Sequence, residues 1–389
     1  WLQKTLVPRR WLHLDGEMDP SWAEPMHTLL EKQGALYLQN GDVINAPTNL
    51  GVIFECADVS AASPATIARC TPIYFSEQTA MLPARIEAWK NNRCPAPLIA
   101  EERNRLVQFF SELVSELLRF LRKQNMDLHL SAENDQLLAE GALSMLSIML
   151  SPLTDWQIAH EVREGGDIAA SLDAAVILAC IWGIGSLYAD EAGRKAFDAE
   201  LRRLLEGRPD ESGSKPHLSL ELACSLPPSD ALCFDSAWEY QPGDWCSWME
   251  TLDSTKERFH SSTTFTHLIA RTPSMASATQ LALLSCRSRQ QVILCGPADS
   301  GKSYNMREVL KNLKQAQFRK ANLVFHELTT SLEVQENVDM MLEKRGRDVF
   351  GPPAGTACVF CIDDLNLPAV TAYHARQHRR SGKLSEPLE

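Results

Sequence analysis

The hydrophobic rhythm of the chain changes twice. From about residue 10 to 77, short apolar runs alternate with brief amphipathic stretches. RRWLHLDGEMD is an apolar run closing on acid, the pattern of a buried parallel strand whose carboxyl end carries function. A helix is predicted over DPSWAEPMHTLLEKQG. Asp19 is its N-cap, Pro20 its first residue, Trp22, Met26, Leu29 and Leu30 its apolar stripe, and Gly34 its stop. GALYLQNGDVINAP reads as a hairpin turning at Asn40-Gly41. NLGVIFECADV predicts a second buried strand, ASPATIARC a short helix and TPIYFS a third strand. Strand and helix alternating in this way predict a parallel α/β sheet.

From 78 to 206 the pattern is helical throughout. LVQFFSELVSELLRFLRKQ repeats apolar residues at three- and four-residue spacing, and LLAEGALSMLSIML and DAAVILACIWGIGSLY are strongly apolar, so a small helical domain is expected. Residues 207–260 open on GRPDESGSKPHLSLELACSLPPSD, rich in Gly, Ser and Pro, and read as a linker or surface insert. The α/β rhythm returns over 261–373, where QVILC, NLVFHEL and TACVFCIDD are predicted strands and KSYNMREVLKNLK a helix. Residues 374–389 form a divergent tail, and no short-period repeat is present.

Composition narrows this picture. At 389 residues and 44% hydrophobic, the chain can bury two or three cores. A net charge of −12 argues against a long basic face, hence against nucleic acid or an anionic membrane as partner. The eleven cysteines are scattered among apolar runs, which suits a reducing compartment better than a disulfide framework. The longest apolar runs carry an acid or glycines, fall short of a membrane span and read as core helix. The opening WLQKTLVPRRWLHLDG shows no signal peptide and has the texture of mid-domain sequence, so a fragment is expected.

One motif carries explicit chemistry. GPADSGKS, Gly296 to Ser303, satisfies the P-loop (Walker A) pattern between a predicted strand and a predicted helix. Gly296 and Gly301 let the loop wrap phosphates, with Pro297, Ala298, Asp299 and Ser300 between them. Main-chain N–H groups and the helix N-terminus supply positive potential, Lys302 reaches the terminal phosphates, and Ser303 ligates Mg²⁺. In TACVFCIDD, an apolar strand places Asp363 as the Walker B acid that holds Mg²⁺ and Asp364 to polarise the attacking water. Cys358 and Cys361 form a CxxC, yet residues three apart on a strand face opposite ways, so they read as core cysteines. His13, between Leu12 and Leu14, reads as a strand residue rather than a ligand. Asp15 ends the early strand LHLDG as Asp363 ends the late one, but Gly16 follows it. A magnesium-type carboxylate is present there without the group that polarises water.

The text WLHLDGEMDPSWAEPMHTLLEKQGALYLQNGDVI, with IFECADVSAASPATIARC, resembles the second AAA+ module of dynein heavy chains. The P-loop and VFHELTTSLEVQENVDMMLEKRGRDVFGPPAGTACVFCIDDLNLPA resemble the third. FGPPAG followed by FCIDDLNLPA is closer to axonemal than to cytoplasmic dyneins. The resemblance covers residues 1 to about 373. The implied fold is α/β: two partial AAA+ modules with parallel αβα sheets, joined by an α-helical small domain. The implied function is that of an ATP-binding segment in the ring of a minus-end-directed microtubule motor that moves cilia or flagella. ATP and Mg²⁺ are then the cofactors. The other AAA+ modules of the heavy chain, dynein intermediate and light chains, and microtubules through the full-length parent are its partners. The implied locations are cytoplasm, cytoskeleton and axoneme. Arg69, in SPATIARC, takes the place of the arginine finger reaching the preceding module's nucleotide, and Asp15 belongs to a site that holds ATP without turnover.

The chain also departs from the family pattern. Family P-loops read GPTGTGKT or GPTGTGKS, so Asp299 places an acid close to phosphate oxygens. Asp364 is one methylene shorter than the usual Glu. Neither nucleotide pocket is complete within the chain, so binding with little hydrolysis is expected. The competing readings are a nonmotor nucleotide-binding or scaffold protein with a degenerate AAA+ site, and a P-loop small-molecule kinase.

Overall fold

A computed structural model describes residues 10–31, 34–38, 40–47, 49–74, 81–124, 135–165, 168–188, 190–210, 213–251, 272–346 and 349–368. The chain divides into two compact units, Trp1–Gln78 and Thr79–Glu389. In the first, strand β1 (Arg10–Asp15) leads to α1 (Pro20–Ala23), the strands β2 (Ala35–Tyr37) and β3 (Val43–Asn45), β4 (Leu50–Glu55) and α2 (Pro64–Arg69). β1 and β4 pair in parallel from Arg10 opposite Leu50 to Asp15 opposite Glu55, so the parallel pairing expected from the sequence is present. Their burial differs from that expectation. Side chains alternate between covered and open, and Trp11 and Ile53 are exposed.

Helix α1 is shorter than its pattern predicts. The Asp19 carboxylate accepts from Ser21 N–H at 2.9 Å, as a cap should. The α-helix nevertheless stops at Ala23 and tightens into a 3₁₀ turn over Glu24–Met26. Pro25 explains the stop, because it has no N–H to continue the ladder and its ring crowds the preceding turn. Gly34 marks a close approach: a Cβ there would lie 2.3 Å from the Leu29 carbonyl oxygen. β2 and β3 form the expected antiparallel hairpin, with Gly41 at φ +86° and Leu38 N–H donating to Asp42 O at 2.9 Å. α2 is capped by Ser63, whose hydroxyl accepts from Thr66 N–H at 3.3 Å. The third strand expected at TPIYFS is not seen. Residues 71–74 have no ladder partner, Ile73 and Tyr74 are exposed, and 75–76 lie outside the described residues.

The second unit begins with six helices: α3 (Met81–Asn92), α4 (Ala100–Gln124), α5 (Asp135–Met149), α6 (Trp156–Glu164), α7 (Ile168–Gly183) and α8 (Glu191–Leu205). Helix α4 buries Leu106, Phe109, Phe110, Leu113, Val114, Leu117 and Leu118, an uninterrupted three-and-four stripe. α7 is the central helix, covered on nearly every side from Ser171 to Ile181. With the turn after it, Ile168–Leu187 is 20 residues long and apolar enough to cross a membrane, longer than the apolar run suggested. It is mostly buried and carries Asp173, whose Oδ2 lies 2.6 Å from Arg105 Nη2. Burying that carboxylate requires such a partner.

The stretch read as a linker lies along this helical core. From His217 to Ala223, side chains address alternate backbone groups of an extended strap. Glu116 accepts from His217 N–H, Glu112 from Ser219 N–H at 2.8 Å, and Asp173 from Ala223 N–H at 2.8 Å, while Arg105 donates to Glu221 O. Two extended residues advance about as far as one helical turn, so carboxylates four apart on α4 match N–H groups two apart on the strap. Leu218, Leu220 and Leu222 pack inward between these bonds. The strap feeds an antiparallel hairpin of β5 (Ser236–Glu239) and β6 (Asp244–Ser247), whose Trp238 is buried with Trp248 beyond it. The hairpin turns at Pro242-Gly243, a turn signal hidden in the supposed insert.

The remainder contains α9 (Pro273–Arg287), α10 (Lys302–Asn312), β7 (Phe318–Val324), α11 (Ser331–Asp339), the short pair β8 (Glu343–Lys344) and β9 (Phe350–Gly351), and β10 (Ala357–Asp363). β10 and β7 pair in parallel, Ala357 opposite Phe318 through Asp363 opposite Val324. Strand β7 therefore starts earlier than NLVFHEL suggested. The strand expected at QVILC is not observed: residues 291–295 have no ladder partner, and Val292 and Ile293 are exposed. A strand exists only where a neighbour supplies its hydrogen bonds, and neither β7 nor β10 pairs with this segment.

Candidate nucleotide site

The turn from Gly296 to Gly301 closes on itself and opens helix α10. Asp299 (φ +60°) and Gly301 (φ +83°) are both left-handed, which brings the chain round in six residues. Lys302 Nζ donates to Gly296 O at 2.8 Å and to Pro297 O at 2.5 Å, and lies 3.4 Å from Ser300 Oγ. The Ser300 hydroxyl donates to Pro297 O at 2.9 Å. A Cβ at Gly296 would sit 3.1 Å from Ser300 Oγ, so the loop has little room for a side chain there.

Helix α10 starts without a side-chain cap, since Gly301 is its N-cap, whereas α1, α2, α6, α8, α9 and α11 are capped by Asp19, Ser63, Asp155, Asp190, Thr272 and Thr330. Its first-turn N–H groups thus receive no capping side chain, and the loop before them carries the Lys302 ammonium. That donor set suits an anion with several oxygens, such as a polyphosphate. Asp299 is the exception. It is an exposed carboxylate in the same loop, in a backbone conformation normally given to glycine.

The strand-end acids lie in the same small fold. Ala282 and Leu283 of α9 pack with Val309 and Leu313 at the far end of α10, and Phe318 of β7 and Val359 of β10 close this core. β10 ends at Asp363, which is half-buried, and the Asp364 N–H donates to Asp363 Oδ1 at 3.1 Å. Asp364 is exposed at φ +56°, turned out of the strand direction. No ion pair joins Lys302 to Asp363 among the described residues; the lysine bonds within its own loop. Cys358 Sγ faces Met341 O at 3.6 Å, while Cys361, its thiol pushed up to about 11 by burial, adjoins Cys286, so the two thiols have different surroundings.

The other expected residues belong to the first unit. Asp15 is the exposed last residue of β1, and Gly16 N–H donates to Glu55 O at 2.9 Å. His13 Nε2 lies 3.0 Å from Glu55 Oε2 on the same strand pair, a strand residue as expected. Arg69 is the exposed last residue of α2. It donates to Ala65 O at 2.9 Å, with Glu31 Oε1 at 3.9 Å.

Comparison with known proteins adds the decisive observation. The family described as P-loop containing dynein motor region matches residues 257–379, and the family described as dynein heavy chain AAA lid domain matches 106–250. The chain is 30% identical over 370 residues to dynein axonemal heavy chain 12 of Mus musculus, covering 95% of this chain and 12% of the relative. It belongs to the dynein heavy-chain family. Other dynein relatives include axonemal heavy chain 1 of Homo sapiens, 27% identical over 387 residues with 9% of the relative covered, and axonemal heavy chain 3 of Mus musculus, also 27% identical with 9% covered. The chain thus spans about a tenth of the length of the dynein relatives it matches.

Within this dynein segment, one element around the loop was not foreseen from the sequence. Helix α9 packs against α10, and the Thr279 hydroxyl lies 3.4 Å from Asn305 Oδ1 in a buried contact. The signal was present in TPSMASATQLALLSC, where Thr272 precedes Pro273 as a cap followed by a first-position proline.

Proposed function

We propose that the chain is an ATP-binding segment of an axonemal dynein motor ring. On this reading, residues 261–373 are the N-terminal part of the third AAA+ module's large subdomain, and 1–77 the C-terminal part of the second's. Residues 78–206 are the helical small subdomain, and 207–260 a connection strapped onto it. Gly296 to Ser303 hold the phosphates of ATP, Ser303 and Asp363 hold Mg²⁺, and Asp364 orients water poorly. Bound Mg²⁺ would neutralise charge on the terminal phosphates. Asp15 is the strand-end acid of a site that retains ATP, and Arg69 a finger toward a preceding module.

The observation that carries this reading is the closed loop of Gly296–Gly301 with Lys302 folded onto it, opening a helix whose first N–H groups are uncapped. The parent protein would engage the other AAA+ modules of its heavy chain, dynein intermediate and light chains, and microtubules. Its place would be the cytoskeleton of the cytoplasm and of the cilium or flagellum axoneme. Fluorescent ATP with Mg²⁺ should bind the chain saturably with negligible turnover, and Lys302→Ala should abolish that binding. Absence of saturable binding by the unaltered chain would refute the reading.

A further inference from the structure

We infer that Thr279 is a positioning residue for the P-loop: acting through Asn305, it fixes the first turn of α10, and with it Lys302 and Ser303. This inference rests on the nucleotide-binding reading above and goes beyond it, because Thr279 lies outside the loop motif.

Asn305 stands three residues after Lys302, and its backbone N–H donates to Gly301 O at 3.0 Å, closing the first turn of α10. It is 6% exposed and is, with Val309, one of the two buried residues of this helix. Its partner Thr279, also 6% exposed, is one turn below the point where α9 meets the loop. One turn earlier on α9, Met275 Cε lies 3.8 Å from where a Cβ on Gly301 would be. Helix α9 thus meets the loop at Gly301 through Met275 and the first turn of α10 through Thr279.

Burial makes the polar contact directional. Leaving the buried Asn305 amide oxygen without its donor is unfavourable, so α10 is held in the rotation that keeps Asn305 against the Thr279 hydroxyl. Apolar packing at Val309 and Leu313 alone would tolerate rotation or sliding of the helix. The first turn carries Lys302 and Ser303, and displacing such groups by about 1 Å is enough to lose most of their binding contribution.

Helix α9 is itself anchored elsewhere. Ala276 and Leu281 belong to the helical core, whereas Ala282 and Leu283 belong to the core beneath α10. Thr279 lies between Ala276 and Leu281, so the contact with Asn305 is made from the part of α9 seated in the larger core.

The test compares Thr279→Val, which keeps the shape and removes the hydroxyl, with Thr279→Ser, which keeps the hydroxyl and removes a methyl. Both are made in the full chain, with fluorescent ATP and Mg²⁺ as probe and amide hydrogen exchange of residues 301–306 as a second readout. Thr279→Val should weaken binding roughly tenfold and speed exchange in 301–306, while Thr279→Ser stays within about twofold of the unaltered chain in both. A purely packing role predicts the opposite order, with Ser worse than Val, and that result would overturn the inference. If the unaltered chain does not bind the probe, the nucleotide reading fails, and exchange decides the contact: faster exchange in Val and not in Ser supports it, and unchanged exchange in Val overturns it.

Discussion

At the scale of single residues, the loop turns on backbone angles that the motif alone does not disclose. Asp299 stands at φ +60°, in the place of a glycine in the family pattern GPTGTGKT, and this conformation costs an L-residue about 1 kcal/mol relative to glycine. It also adds a negative charge to the loop whose donors would meet phosphate. Asp299→Gly should therefore raise stability by up to about 1 kcal/mol and tighten ATP binding roughly fivefold, the effect of removing one like charge a few ångströms away near a surface. Titration of the variant beside the unaltered chain checks both. Weaker binding in the glycine variant would mean that the carboxylate points away and that its backbone role dominates. Lys302 and the loop glycines could be named from spacing because the motif is contiguous. Thr279 could not, since it is 26 positions from Asn305 in sequence and nothing in the local pattern pairs them.

At the scale of elements, three- and four-residue spacing located α4, and long apolar runs located α5 and α7. It overestimated α1, where Pro25 intervenes, and two strands whose formation depends on partners distant in sequence. It also took the strap for a free linker, since Ser, Pro and Lys hide the alternate leucines at 218, 220 and 222. Burial pushes the Glu112 carboxyl up, but hydrogen bonds from the Ser219 hydroxyl, the Ser219 N–H and the Gln108 amide outweigh it and hold the group below the usual carboxylate range. A group depressed in the folded state contributes stability above its unfolded pKa of about 4.3 and loses it as pH falls through the folded value. The strap should therefore loosen as pH drops below the ordinary carboxylate range. Trp245, whose indole N–H donates to Ser225 O at 2.7 Å at the end of the strap, reports it by fluorescence. Glu112→Gln should flatten that transition, and an unchanged acid midpoint would show that Glu112 does not control the strap.

At the scale of the whole molecule, the cores are unequal. The helical part buries a large continuous core from Ile86 to Trp248, joined by residues of α9, whereas four buried apolar residues, Ala282, Leu283, Val309 and Leu313, support the P-loop helix and its strands. Local stability follows local burial. Backbone amides of α10, β7 and β10 should exchange roughly a hundredfold faster than those of α4 and α7. Leu283→Ala should widen the difference while leaving α4 and α7 protected, because the lost methyls belong to the smaller core. Equal protection across both regions would show that the loop and the helices unfold as one unit.

The sequence by itself determined the contiguous features: the helical stripes, the Asn40-Gly41 hairpin, the phosphate-loop motif, the two strand-end acids and the dynein family. Each of these is written within a few turns or one short run, where spacing maps directly onto geometry. Only the tertiary structure decided which predicted strands find partners, that the apparent linker is clasped by Glu112, Glu116, Asp173 and Arg105, and that α9 holds the loop through Thr279 and Asn305. Those contacts join residues far apart in the chain, and their energies come from burial and matched hydrogen bonds that local sequence does not encode.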